Sequence, residues 1–152
     1  MTKFLRMEFV GSFQSETSPS EFQIISYCPS LHHDKIPLIY SASFKEKSWG
    51  SDWDNFPEFD PNGVFLAINI ETDELIGYVI SFKRDNFGYI SVVAVLSKWQ
   101  RRGVASALIR SAVQYFRSSK IKKVKIDVEE TNIPAIKVYK RIGFIVIETF
   151  ED

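Results

Sequence analysis

Runs of alternating and continuous apolar residues divide the middle of the chain into three predicted strands. Residues 64–70 (VFLAINI), 74–82 (ELIGYVISF) and 88–96 (GYISVVAVL) are rich in the β-branched and aromatic residues that favour strands. The turn-like segment ETD joins the first two runs. Because short turns connect antiparallel neighbours, these runs predict an antiparallel meander.

The segment from about residue 102 to 118 has the apolar period of an amphipathic helix. Apolar residues recur there every four positions, at Val104, Leu108, Ala112 and Phe116. In KKVKIDV (122–128), charged residues then alternate with Val124, Ile126 and Val128, which predicts a half-buried strand. A strand, helix, strand crossover is therefore expected after the meander.

The last part of the chain carries signals for both ends of a second helix. Asn132 is a good N-cap, Pro134 fits the first helical turn, and Gly143 is a typical C-terminal stop. FIVIETF, which follows directly, predicts a closing strand.

Two further apolar runs lie near the amino terminus. KFLRMEFV (3–10) and FQIISYC (22–28) predict strands, and the serine-rich segment 11–21 predicts a loop between them. Residues 31–47 predict a helix, with Pro37 near its start or at a kink.

Length, charge and cysteine count narrow the possible classes of protein. The 152 residues predict one domain spanning 1–152. The 19 basic and 19 acidic residues cancel, so no overall field favours nucleic acid or a membrane surface. The single cysteine, Cys28, excludes an internal disulfide and a cysteine-built metal site, and no metal is expected. Without a predicted membrane span or signal peptide, we expect a cytoplasmic protein.

The segment QRRGVAS (100–106) places two arginines and one glycine where the predicted helix begins. A helix start exposes N–H groups and the positive end of the helix dipole, and glycine allows a ligand to approach the backbone closely. This combination favours a pyrophosphate. The alternative is that Gly103 only shapes the turn and that Arg101 and Arg102 are solvated.

Two linked motifs resemble those of the GNAT superfamily of N-acetyltransferases. QRRGVA is similar to the coenzyme A motif Gln/Arg-x-x-Gly-x-Gly/Ala, and NIPAIKVYKRIGF to the downstream motif Asn-x-x-Ala-x-x-x-Tyr-x-x-x-Gly-Phe. ELIGYVI looks like the third strand of the family, and the resemblance covers roughly residues 64–145. It implies the α/β GNAT acyl-CoA N-acyltransferase fold: a mixed, mostly antiparallel sheet, flanked by helices and splayed between the fourth and fifth strands.

The resemblance implies that the chain binds acetyl-CoA as cosubstrate. The backbone of the splayed fourth strand would pair with the pantetheine arm, the turn and helix start would hold the pyrophosphate, and Asn132 would touch the coenzyme. The implied cofactor-binding residues are Val93, Ala94, Val95, Arg101, Arg102, Gly103, Val104, Ala105, Ser106, Asn132 and Tyr139. The alternatives are burial for the strand residues and a capping role for Asn132.

Tyr139 is the implied catalytic residue, because the matching tyrosine of the family can protonate the leaving thiolate. The alternative is a tyrosine that only packs on the inner face of its helix. Many relatives place a glutamate on the fourth strand as general base, where this chain has Tyr89. A base could instead come from Glu129, Glu130, His32 or His33, each of which could equally be a surface residue.

Residues 48–62 predict a structured loop that could bind the acceptor. Its first part combines the acids Asp52, Asp54, Glu58 and Asp60 with the aromatic residues Trp49, Trp53, Phe56 and Phe59. Acids and aromatic faces together attract a cationic amine. The alternative is a loop anchored by buried aromatic residues, with its acids in water.

The resemblance thus implies direct acetyl transfer from acetyl-CoA to a primary amine in a ternary complex. We favour a small-molecule amine as the partner, without nucleic acid or membrane. The alternatives are a protein N-terminal or lysine acetyltransferase and a non-catalytic acyl-CoA-binding module. Relatives usually end with one more strand, so the extension 1–21 is expected to add an edge strand, unless a second subunit fills that edge in a homodimer.

Overall fold

A computed structural model describes residues 1–12, 21–44 and 49–152. Within these ranges the strands are β1 (Lys3–Phe9), β2 (Phe22–Ser26), β3 (Val64–Asn69), β4 (Leu75–Arg84), β5 (Phe87–Val95), β6 (Val124–Glu129) and β7 (Phe144–Glu151). The helices are α1 (Pro29–His32), α2 (Ile36–Phe44), α3 (Val104–Ser118) and α4 (Ile133–Ile142). Most of the predicted loop 11–21 and the end of the predicted helix 31–47 lie outside the described residues.

Among the described residues the strands form one mixed sheet in the order β2-β3-β4-β5-β6-β1-β7. The predicted meander is confirmed as antiparallel pairing of β3 with β4 and of β4 with β5. The crossover through α3 is confirmed by the parallel pairing of β5 with β6. This mixed sheet with flanking helices is the expected α/β GNAT fold.

The expectation of an added edge strand at the amino terminus is wrong. β1 joins the sheet in its interior, between β6 and β7, and pairs antiparallel with both. The edge on this side is β7, which exposes Ile145, Val146 and Ile147. An interior position satisfies the backbone groups of β1 on both sides and buries Met7 and Phe9 in the core.

The sheet separates two apolar layers. α3 packs on the first face through the predicted stripe, and Leu108, Ala112 and Phe116 are almost fully buried. α2 and the loop beginning at Trp49 cover the second face of the meander. The predicted helix 31–47 is divided into α1 and α2, and Pro37 lies in the first turn of α2, where a missing N–H costs nothing.

The predicted ends of α4 are confirmed. Asn132 Oδ1 accepts a hydrogen bond from the Ala135 N–H at 3.3 Å, and Pro134 lies in the first turn. Gly143 ends the helix with φ +129°, a conformation that residues with a side chain rarely adopt. Tyr139 is thereby carried on a helix of fixed length and direction.

Candidate functional site

The turn before α3 exposes the start of that helix. Gly103 has φ +85°, and a Cβ atom built there would meet no described atom within 4 Å. The first intrahelical hydrogen bond runs from the Ala107 N–H to the Gly103 carbonyl at 3.0 Å. The N–H groups of Val104, Ala105 and Ser106 therefore precede the helical ladder and point outward at the positive end of α3. This helix start, called the anion cradle below, has the geometry to hold an anion.

The splay is present where the sequence resemblance places it. β5 and β6, the fourth and fifth strands of the family pattern, pair only through Gly88, Tyr89 and Ile90, and among the described residues the register ends at Ile90 opposite Ile126. Beyond this point the two strands separate. The part of β5 from Ser91 to Val95 thus runs along an open cleft that leads to the anion cradle.

Strand geometry decides which backbone groups face this cleft. The Leu96 N–H donates to the Ile76 carbonyl on β4, and the Val95 carbonyl accepts from Gln100 Nε2 at 3.1 Å on the other side. Because backbone groups alternate along a strand, those of Val93 and Val95 face the cleft, whereas those of Ala94 face β4. Of the three strand residues predicted to bind the cofactor, Ala94 is therefore turned away.

The two arginines of the turn differ in their surroundings. The Arg102 guanidinium lies 4.9 Å from the centre of the Trp99 ring and 3.7 Å from Glu21 Oε2. The Arg102 side chain thus lies beside Glu21, the residue that precedes β2. Arg101 is exposed and has φ +65°, so its backbone contributes to the sharp turn. Both cations lie near the cradle, but Arg102 already has a partner.

Tyr139 is half-buried on α4, with its ring 6.2 Å from that of Phe144. Burial raises the pKa of the Tyr139 hydroxyl to about 12. A phenol with this pKa keeps its proton at neutral pH, so the hydroxyl has a proton to donate. This protonation state fits the role implied for Tyr139.

An ion-pair network occupies the second face of the sheet, beside the start of the splay. The Tyr89 hydroxyl donates to Asp127 Oδ2 at 3.0 Å, and Arg6 makes two hydrogen bonds to the same carboxylate at 2.9 and 3.0 Å. Burial, followed by the charge of Asp127, raises the pKa of Tyr89. Sequence reasoning missed Asp127, although strand alternation in KKVKIDV already places it on the face opposite Ile126.

The residues proposed from sequence as general bases are poorly arranged for that role. His32 Nδ1 accepts a hydrogen bond from the Cys28 N–H at 2.9 Å, and burial lowers the pKa of this histidine. His33 lies between Asp34 Oδ1, at 3.0 Å, and Asp54 Oδ1, at 3.2 Å. The hydrogen bond to Asp34, more than that to Asp54, raises the pKa of His33 and favours its protonated form. Glu129, the last residue of β6, and Glu130, which follows it, are both exposed.

An aromatic pocket of about 360 Å³ lies on the second face. Its walls include Trp49, Trp53 and Phe56 from the loop, and its floor includes Ile80, Ser91 and Val92. Ser91 and Val92 belong to the part of β5 that has left β6, so the pocket adjoins the splay. The apolar residues of the pocket pack in the layer on the opposite face of the sheet from α3.

The acids of this loop are not equivalent. Asp54 binds His33, and Asp60 accepts from the Tyr115 hydroxyl and from the Asn62 N–H. Asp52 and Glu58 are exposed. Two of the four acids predicted to attract an amine therefore bind groups of the scaffold instead.

Two other kinds of site are absent from the described residues. No helix in the described ranges is long and apolar enough to cross a membrane. No three His, Cys, Asp or Glu side chains of the described chain are grouped to hold a metal ion.

Comparisons with known proteins agree with the fold and the motifs. The model of the acetyltransferase (GNAT) family matches residues 30–144. A mycothiol acetyltransferase of Actinosynnema mirum is 26% identical over 92% of this chain and 50% of its own length. The N-alpha-acetyltransferase MAK3 of Arabidopsis thaliana is 28% identical over 87% of this chain and 70% of its own length.

The crystal structure of a GCN5-related N-acetyltransferase from Sphaerobacter thermophilus matches with a TM-score of 0.82 at 18% identity, and the match covers 97% of this chain and 49% of that one. This chain thus spans about half the length of that protein and of the A. mirum relative. The family match extends over most of the chain and includes the turn, α3, α4 and the splay. The chain belongs to the acetyltransferase (GNAT) family.

Proposed function

We propose that this chain binds acetyl-CoA and transfers its acetyl group directly to a primary amine in a ternary complex. The observation that carries the proposal is the connection between the splay and the helix start: the cleft beside β5 leads to the N–H groups of Val104–Ser106. Membership of the family supports the activity.

The residues present fit the cosubstrate. A pyrophosphate needs N–H donors and room beside the backbone, and the turn provides both because a Cβ atom at Gly103 would project into open space. The backbone groups of Val93 and Val95 would pair with the amides of the pantetheine arm, and Asn132, at the start of α4, would contact the arm. Acetyl-CoA supplies a thioester, an acyl group activated for attack by an amine.

Tyr139 holds the proton for the leaving sulfur. Its raised pKa keeps the hydroxyl protonated, so it donates only where the sulfur lies within hydrogen-bond distance. A phenol is a weaker acid than a thiol, so transfer of its proton to a thiolate is unfavourable in water. The position of the Tyr139 hydroxyl, rather than its acidity, must therefore make the transfer effective. The caps at both ends of α4 support a fixed position for this residue.

The amine arrives largely as an ammonium ion, and its neutral form attacks the thioester after the proton has passed to solvent. We propose that Tyr89 contacts the amine on the second face of the sheet, where the aromatic pocket lies. Its own proton is directed at Asp127, so the lone pairs of its oxygen are available to accept a hydrogen bond from the amine. Arg6 fixes the Asp127 carboxylate and acts as a positioning residue.

The acceptor that we favour is a small molecule, since the pocket beside the splay has a volume of about 360 Å³, which is in the range of small-molecule sites. The 28% identity to an N-alpha-acetyltransferase supports a second candidate, a protein N-terminus. Tyr89, in place of the family glutamate, is the feature that favours a non-catalytic acyl-CoA-binding module.

Calorimetric titration with acetyl-CoA, followed by thiol release with a panel of amines and N-terminal peptides, tests the proposal. We expect saturable acetyl-CoA binding and thiol release that requires an amine. Binding without release across the panel would indicate the non-catalytic module, and release only with peptides would indicate the protein acetyltransferase. Failure to bind acetyl-CoA would refute the proposal altogether.

A further inference from the structure

We propose that the aromatic pocket is the acceptor subsite and that it takes an apolar, preferably aromatic, substituent of the amine rather than a second cationic group. The inference rests on the proposed function, because it names the class of acceptor for that reaction. The pocket is lined by Gly50 together with Trp49, Trp53, Phe56, Ile80, Ser91 and Val92.

The walls of the pocket are held rigidly without a ligand. The Trp53 indole N–H donates to the His33 carbonyl at 3.0 Å, and the His33 ring stacks on Trp53 with centroids 5.4 Å apart. Trp49 packs on Tyr40 at 4.3 Å, and Phe56 contacts Phe82 edge-on at 5.1 Å. Rings fixed in this way form a preformed site, which reduces the entropy lost on binding.

The position of the pocket links it to the reaction. Ser91 and Val92 follow Ile90, the last residue of β5 that pairs with β6, so they line the pocket at the point where the cleft opens. A substituent in the pocket would therefore hold its amine beside the open part of β5. Tyr89 lies two residues earlier on the same strand.

The charges around the pocket decide the class of substituent. In the described chain the pocket lining includes aromatic rings, aliphatic side chains and one hydroxyl, but no carboxylate. The nearby Asp54 is bound to His33, which is itself favoured in its protonated form. Within this lining a cationic substituent would lose water without meeting a carboxylate, whereas an apolar one gains about 25 cal/mol for each Å² buried.

The experiment compares three amines that differ only in their substituent: ethylamine, 2-phenylethylamine and 1,3-diaminopropane. Thiol release from acetyl-CoA gives kcat/KM for each. We expect 2-phenylethylamine to exceed both others by at least about tenfold, because several carbons are buried. Trp53→Ala should remove most of this preference. Ile145→Ala, at an exposed position on β7, is the matched control and should retain it.

A binding measurement keeps the inference testable without turnover. The chain has 3 tryptophans, and Trp99 lies at the turn before α3 rather than in the pocket. In the variant Trp99→Phe, tryptophan fluorescence reports Trp49 and Trp53 only. Titration with 2-phenylethylamine should give a saturable change that ethylamine does not give at the same concentrations.

The two proposals fail in different ways. A preference for 1,3-diaminopropane, equal rates for all three amines, or a preference that survives Trp53→Ala would overturn the subsite while leaving acetyl transfer intact. Absence of thiol release, together with a saturable fluorescence change, would overturn the proposed reaction and support the pocket as a binding site. An unchanged fluorescence signal would overturn the subsite in either case.

Discussion

Replacing Gly103 by alanine separates the two tasks of this residue, shaping the turn and admitting a phosphate. A Cβ atom at position 103 would meet no described atom within 4 Å, so the substitution causes no clash in the folded chain. Its cost to stability is the left-handed backbone conformation at φ +85°, roughly 1–2 kcal/mol for a residue with a side chain. For a chain of this size, that corresponds to a fall in Tm of about 2–8 °C.

The effect on acetyl-CoA binding should be larger than the effect on folding. The new methyl group projects into the space where the pyrophosphate would contact the Val104–Ser106 N–H groups. Loss of one hydrogen bond to a charged oxygen costs about 1.5–3 kcal/mol, which is roughly a 10- to 150-fold increase in Kd. Arg101→Ala removes only an exposed, screened charge worth about 0–1 kcal/mol, or less than about sixfold.

Calorimetric titration with acetyl-CoA and thermal unfolding of the same samples provide the measurements. Gly143→Ala is the matched control, because φ there is +129° and a Cβ atom would lie 3.0 Å from Phe9 Cε1 and 3.1 Å from the Gly11 Cα. It should lower Tm more than Gly103→Ala does and leave the Kd for acetyl-CoA within about twofold. A Kd for Gly103→Ala that matches wild type, or a larger loss from Arg101→Ala, would refute backbone recognition of the pyrophosphate.

Three other substitutions test separate parts of the site. Tyr139→Phe should lower kcat for thiol release by about 100-fold or more with an unchanged Kd for acetyl-CoA. If only Kd changed, the result would indicate that Tyr139 is a packing residue and not a proton donor. Tyr89→Phe should raise KM for the amine in steady-state assays, and an unaltered KM would exclude contact with the acceptor. The raised pKa of His33 means that its bonds to Asp34 and Asp54 stabilise the fold fully below about pH 6.5 and are lost as pH rises through the folded pKa. Urea unfolding should therefore show the largest difference between wild type and His33→Gln near pH 6, and a difference that grows toward pH 9 would contradict the assigned ion pairs.

Local signals in the sequence were sufficient for the meander, α3 and α4. The ends of α4 depend on Asn132 and Gly143, whose capping signals can be recognised from the sequence of the helix and its flanks alone. The signal for the anion cradle is equally local, because a glycine directly before a segment with the apolar period of a helix is enough to indicate it. The direction of the Ala94 backbone could not be obtained in this way, because it depends on the register between β4 and β5.

Contacts between distant segments were the part that sequence reasoning could not supply. The His33–Asp54 pair joins the end of α1 to the loop that begins at Trp49. Asp54, which was expected to attract the ligand, therefore supports the scaffold instead. The interior position of β1 depends on pairing with β6 and β7, more than 100 residues away, and nothing within residues 3–9 specifies those neighbours.

The insertion of β1 also bears on the site itself. β5 and β6 share only three paired positions, from Gly88 to Ile90, so backbone pairing alone gives little resistance to further separation of the strands. Arg6 of β1 holds Asp127 of β6, and Asp127 holds Tyr89 of β5, which adds a side-chain connection across three adjacent strands at the start of the splay. A half-buried bidentate ion pair is more rigid than an exposed one. The strand that sequence reasoning assigned to the edge of the sheet therefore helps to fix the width of the cleft in which acetyl-CoA is proposed to bind.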